Sequence, residues 1–244
     1  MRQSGSLNRS PALEENVVST SPSVIVFDVN ETLSDMSPMA GRFAEVGAPE
    51  ALSKLWFTTL LRDGFALTAA GDNGTFAGIG AQALRGLLTG TELNTTVGQA
   101  VEHIMSGMAS LGLHAEVPDG VRALHQAGYR LITLTNGSAT VAEKLFDPAG
   151  IRGAFEALLS VENAPAWKPA PAAYGYAAHV TGTDPSQMML VAVHPWDIHG
   201  AAKAGLQTAW INRTGAPYPA YFTPPDHTVT TLTELPAALA ADSA

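Results

Sequence analysis

Val24-Ile25-Val26-Phe27-Asp28-Val29-Asn30-Glu31-Thr32-Leu33 decides how the rest of this chain is read. Val24 to Phe27 are β-branched or aromatic, with no polar residue between them, the pattern of a strand covered on both faces. The run stops on a carboxylate. A buried strand that ends at Asp28 presents that carboxylate at the carboxyl edge of a sheet, where ligands bind in open α/β sheets. Aspartate is also common in ordinary turns, so Asp28 gains meaning only from what the rest of the chain brings to the same edge.

Working outward, further apolar runs fall at residues 129–135, 157–161, 189–194 and 208–212. Most are continuous rather than alternating, as in a parallel sheet buried on both sides. Helical patterns lie between them, at 120–127, 139–149, 170–180 and 198–204. Ser138 is placed to cap the second of these, and Pro169 and Pro171 mark the start of the third. The alternation predicts an α/β fold, a doubly wound Rossmann-like parallel sheet. Residues 37–117 interrupt it, with helices over 49–68, 74–88 and 93–111 and no convincing strand. They read as a helical cap inserted into a core made of residues 22–36 and 118–244. Residues 1–21, rich in Ser, Asn and Glu and without the apolar middle of a signal peptide, read as a flexible tail.

Composition narrows the partners. A chain of 244 residues, 46% apolar, can bury a full core. The net charge of −9, with no basic patch, predicts no nucleic-acid partner. No apolar stretch is long enough to span a bilayer. With no cysteine, disulfides and thiolate metal sites are excluded, and a reducing cytoplasm is the expected compartment.

Three more motifs reach the edge that Asp28 occupies. Leu131-Ile132-Thr133-Leu134-Thr135-Asn136-Gly137-Ser138 ends a strand on hydroxyl and amide groups just before a helix, a setting suited to an anion. Trp167-Lys168-Pro169-Ala170-Pro171, with Tyr174 beyond, puts a lysine at the start of a helix, able to hold a nearby carboxylate ionised. Val191-Ala192-Val193-His194-Pro195-Trp196-Asp197 ends another strand near a histidine and an acid.

Together these motifs resemble the haloacid dehalogenase superfamily over about residues 22 to 240, and within it the L-2-haloacid dehalogenase branch. The resemblance implies that Asp28 is a nucleophile, that Lys168 and Asp197 are its charged partners, and that Tyr174 stands at the tyrosine position. It also implies that Thr135 and Asn136 hold the substrate carboxylate and the departing halide. Thr32, four residues past Asp28, can reach back to it. The phosphatase branch has a second aspartate where this chain has Asn30.

This chain departs from the branch in two places. Ala192 and His194 stand where Ser and Asn are usual. Glu31 is the other unexpected polar group at the edge, and the two predict a dyad: Glu31 orients His194, and His194 deprotonates the water that hydrolyses an aspartyl ester, imidazole having a pKa suited to a base near neutrality. The branch also carries an arginine after a Leu-Trp pair in the first cap helix; here Leu55-Trp56 is followed by Phe57. Arg62, or then Arg85, is the nearest cation that could replace it, and Phe57 could line the apolar side of a pocket.

The expected activity is hydrolysis of a short L-2-haloalkanoic acid or a haloacetate to a 2-hydroxy acid. Halide needs no acid to leave, whereas the amide of Asn30 cannot protonate a leaving alkoxide as a carboxylic acid would. Lys168 supplies positive charge, so no metal and no cofactor are expected. A magnesium-dependent phosphatase that tolerates Asn30 is the alternative, and a binding module without catalysis is a third reading. A homodimer is possible on the resemblance.

Overall fold

A computed structural model describes residues 21–241 of the chain. The expected tail, apart from Ser21, therefore lies outside the described residues. In chain order the elements are β1 (Val24–Phe27), β2 (Ser34–Asp35), α1 (Met39–Glu45), α2 (Leu52–Ala70), α3 (Phe76–Leu88), α4 (Val97–Met108), β3 (Gly112–Leu113), α5 (Val117–Gln126), β4 (Arg130–Thr135), α6 (Ala139–Phe146), β5 (Phe155–Ser160), α7 (Pro171–Thr181), β6 (Met188–Ala192), α8 (Pro195–Lys203), β7 (Gln207–Ile211), β8 (His227–Val229) and α9 (Leu235–Ala241).

The main sheet runs β5-β4-β1-β6-β7-β8, and every pairing in it is parallel. The chain builds outward from β1 through β4 to β5, then crosses back to lay β6 on the other side of β1. The order therefore reverses between β1 and β6, and a crevice opens at such a switch point beyond the strand ends. Asp28 leaves β1 at that point, and its N–H donates to the Val191 carbonyl of β6 at 3.1 Å.

Side chains alternate across the sheet with the period of two that pleating imposes. Val24 and Val26 join a core shared with α2, α3, α4, α7 and α8; Ile25 and Phe27 join the opposite core with α5, α6 and α9. Both faces are thus covered by helices. The helical stretch α1–α4 packs its apolar side, including Trp56, Leu60, Leu84 and Ile104, into the first core. Its two ends meet in a short antiparallel pair, Ser34 with Leu113 and Asp35 with Gly112, a strand contact that the sequence pattern does not predict.

Trp167 fastens this stretch to the sheet edge. Its ring stacks on Phe76 with centroids 6.1 Å apart, its indole N–H donates to the Gly74 carbonyl at 2.9 Å, and its backbone N–H donates to Thr68 Oγ1 at 3.2 Å. Gly64 makes the approach possible, since a Cβ there would lie 2.4 Å from the indole. Among the described residues no helix is long and apolar enough to cross a membrane.

Candidate active site

The site grows from the turn after β1. Thr32 returns over the strand end so that its hydroxyl donates to Asp28 Oδ2 at 2.6 Å, while Thr32 Oγ1 accepts from the Val193 N–H at 3.1 Å. Tight return requires left-handed backbone at Glu31, φ +61°, the one non-glycine positive φ among the described residues. That conformation costs an ordinary L-residue roughly 1–2 kcal/mol, so something must hold it.

Lys168 is fully buried, and its ammonium lies between two carboxylates, donating to Asp28 Oδ1 at 3.0 Å and Asp197 Oδ2 at 2.6 Å. Tyr174, on α7, donates its hydroxyl to Asp197 Oδ1 at 2.6 Å. Each carboxylate oxygen of Asp28 and Asp197 thus accepts from a donor on this chain. Burial by itself raises the Asp28 pKa, but Lys168 first, then His194 and Thr32, outweigh it and hold the carboxyl well below the usual range. Burial likewise lowers Lys168, and its two carboxylates more than restore it, so it is held above its ordinary value. Asp197 is raised, first by its burial and also by the Asp28 charge, with Lys168 opposing.

His194, at the start of α8, bridges Asp28 and Glu31: Nδ1 is 3.2 Å from Asp28 Oδ2 and Nε2 is 2.8 Å from Glu31 Oε2. Burial disfavours the imidazolium, yet hydrogen bonds to Asp28 and then Glu31 prevail and push the pKa up to about 9. Both ring nitrogens face carboxylate oxygens, an arrangement that favours the imidazolium in the resting site. This differs from the free base that the sequence suggests, and the cause is its direct contact with Asp28, which no sequence spacing reveals.

Thr135 and Asn136 follow β4, but they do different things. Thr135 Oγ1 accepts from the Gly137 N–H at 2.9 Å and lines an apolar cavity of about 340 Å³ with Asn30, Phe76 and Met105. Asn136 grips the peptide of Lys168: its Nδ2 donates to the Lys168 carbonyl at 3.1 Å and its Oδ1 accepts the Lys168 N–H at 3.0 Å. Phe57 lies beside the site, its ring centroid 6.4 Å from that of His194, on the wall of a second cavity of about 540 Å³ that also reaches Glu31.

Arg62 does not join them. Its side chain is 69% exposed and paired with Asp63 at 2.8 Å. The buried stripe of α2 runs through Ser53, Trp56, Phe57, Leu60 and Gly64, and Arg62 projects from another face. Arg85 is exposed as well. The sequence reading missed Arg213, His114 and Glu116, which come from irregular segments and surround the Glu31 turn. Arg213 sits in a Pro- and Gly-rich stretch with no pattern to mark it.

A Rossmann-like sheet with a carboxylate after β1, a lysine before α7 and an acid on α8 at the switch point defines a hydrolase of one superfamily. The model of the haloacid dehalogenase-like hydrolases matches residues 22–205, and the chain belongs to that family. Among curated proteins it is 31% identical to haloacetate dehalogenase H-2 of Moraxella sp. (strain B), over 84% of this chain and 92% of that one. It is also 31% identical to an (S)-2-haloacid dehalogenase of Pseudomonas sp. (strain YL), over 85% and 90%. The crystal structure of an L-2-haloacid dehalogenase superposes with a TM-score of 0.84 at 30% identity, covering 91% of this chain and 100% of that one. Another, of a dehalogenase with an intermediate complex, gives 0.83 at 29% identity, covering 90% and 98%.

Proposed function

We propose that this hydrolase removes halide from short L-2-haloalkanoic acids or haloacetates through an ester on Asp28. The observation that carries the reading is the Lys168 ammonium bonded to both Asp28 and Asp197 in a buried site. It keeps Asp28 ionised without requiring another cation. Helices over residues 37–117 serve as a cap that keeps bulk water from the nucleophile. The partner is a small haloacid; nucleic acid is not expected of a chain with net charge −9, and a cysteine-free chain suits the cytoplasm.

In the first step an Asp28 oxygen attacks C2 of the substrate from behind the carbon–halogen bond. The new C–O bond forms as halide departs with the bonding pair, and the configuration inverts. Thr135, with Gly137 and Ser138 after it, lines the cavity that would take the acid. Asn136 acts one step back, fixing the main chain of Lys168.

Esterification removes the Asp28 charge. His194 then loses the anion that helped to retain its proton, and its pKa falls. Nδ1 releases that proton to solvent, where it balances the departed halide, and Nε2–H stays on Glu31. Neutral Nδ1 accepts a proton from water as the water oxygen attacks Cγ of Asp28. Lys168 on Oδ1 and Thr32 on Oδ2 both remain at the carboxyl, so whichever oxygen is left outside the ester keeps a donor to take its charge. The ester C–O bond to Cγ breaks, Nδ1 returns the proton to the leaving oxygen, and a 2-hydroxy acid departs with one original Asp28 oxygen; the second water proton passes from the new Asp28 carboxyl to Nδ1, which restores carboxylate and imidazolium.

The phosphatase reading is less well supported. A magnesium ion needs carboxylate oxygens, and those of Asp28 and Asp197 already accept from Lys168, Thr32, His194 and Tyr174. Turnover of 2-chloropropionate in heavy-oxygen water tests the proposal. Mass spectrometry of the peptide containing Asp28 should show label there; label found only in the product would sink the ester.

A further inference from the structure

We propose that Arg213 and His114 are positioning residues that lock the left-handed backbone of Glu31 and so aim its carboxylate at His194. This rests on the reading of Glu31 and His194 as the pair that activates water. Neither residue touches the reacting atoms; both act on the peptide that carries Glu31.

The Glu31 carbonyl accepts two hydrogen bonds from distant parts of the chain, His114 Nε2 at 3.0 Å and Arg213 Nη1 at 3.3 Å. A carbonyl can only accept, so His114 presents its Nε2–H. Arg213 Nη2 also donates to the next carbonyl, that of Thr32, at 2.9 Å. The guanidinium is itself fixed by Glu116, whose Oε1 accepts from Nε at 2.9 Å and from Nη2 at 2.7 Å, with both side chains mostly buried. In the preceding peptide unit, the Glu31 N–H donates to Ser34 Oγ at 3.3 Å.

These bonds converge on the single described non-glycine residue with positive φ. An unfavourable backbone persists only where surrounding contacts over-determine it. Here the contacts point to a purpose. The Glu31 side chain is 43% exposed, so packing does little to fix where its carboxylate lies, yet Oε2 sits 2.8 Å from His194 Nε2. With the side chain loosely held, direction must come from the main chain, and the clamp supplies it.

The test separates the two steps of a single turnover with L-2-chloropropionate, reading the burst of chloride for esterification and quenched-flow intact mass for ester decay. His114→Phe, which removes one bond to the Glu31 carbonyl alone, should slow ester decay about ten- to hundredfold, the cost of misplacing a reacting group. The chloride burst should stay within about threefold. His114→Gln, which can still donate an N–H, should recover most of the decay rate. Arg213→Met should behave like His114→Phe if it folds. In a Glu31→Ala background His114→Phe should add little further loss, because both changes interrupt one unit. Equal slowing of both steps, a full additive loss in that background, or no slowing by His114→Phe would overturn the clamp. If Glu31→Ala alone leaves ester decay unchanged, it is the water-activating pair that fails.

Discussion

His194→Asn offers the most direct measure of the charge network. The side chain is 12% exposed and bonded to Asp28 and Glu31, and its pKa stands at about 9 against an ordinary 6.5. Each pKa unit corresponds to roughly 1.4 kcal/mol between protonation states, so the folded protein gains about 3 kcal/mol from holding this proton. The sign follows from the direction. A pKa raised by folding stabilises fully below the unfolded value, near 6.5, and the gain is lost as pH climbs through about 9. Urea denaturation at pH 6 and at pH 9.5 should show wild type losing about 3 kcal/mol more than the asparagine variant over that interval. In parallel, the variant should release about one chloride per site and then stall with ester on Asp28. Identical pH dependence in the two proteins would mean that the imidazolium is not ion-paired as described. Steady turnover of the variant at the wild-type rate would refute its part in ester hydrolysis.

Lys168→Met should leave two buried carboxylates facing each other, costing about 3–5 kcal/mol as for a broken buried ion pair, and chloride release should require higher pH, because burial would now raise Asp28; denaturation and a pH–rate profile check both, and an unmoved acid limb would refute the electrostatic reading. Gly64→Ala should drive a methyl into the Trp167 ring, 2.4 Å from the Cβ position, and lower stability by about 1–3 kcal/mol; a thermal melt shows it, and an unchanged Tm would mean that α2 can shift without cost.

The central strands were legible because a parallel sheet buried on both faces writes itself as uninterrupted apolar runs. β1, β4, β5, β6 and β7 all lie within two residues of where the sequence puts them. β8 was not, since His227–Val229 is a three-residue edge strand that has no run to show. Helix starts moved to their caps: α4 begins at Val97 because Thr96 forms a capping box with Gln99, and Ser138 caps α6 as its position suggests. α1 and α9, each seven residues, are too short to display a periodicity.

In the site, residues fixed by strand ends were readable and residues fixed by packing were not. Asp28, Lys168 and His194 follow or precede regular elements, Asp197 lies in the first turn of α8, and the topology brings them together. Tyr174 reaches Asp197 because it lies one turn into α7. Arg62 failed because a helix alone does not declare which of its faces will be covered. Asn136 follows β4 as its motif suggests, and its amide also holds the Lys168 main chain, a partner that side-chain chemistry alone does not suggest. Arg213 and His114 act through carbonyls, and nothing in a sequence marks which carbonyls need a donor.

The pairing of the Asn136 amide with both sides of the Lys168 peptide has a mechanical meaning. Lys168 lies in an irregular connection, where thermal breathing is greatest. Yet its main chain is referenced, through a side chain rooted at the end of β4, to an interior strand of the sheet. Its ammonium therefore inherits the stiffness of the sheet, and loosening of the connection cannot shift the charge beside Asp28 unless that two-point latch is first undone.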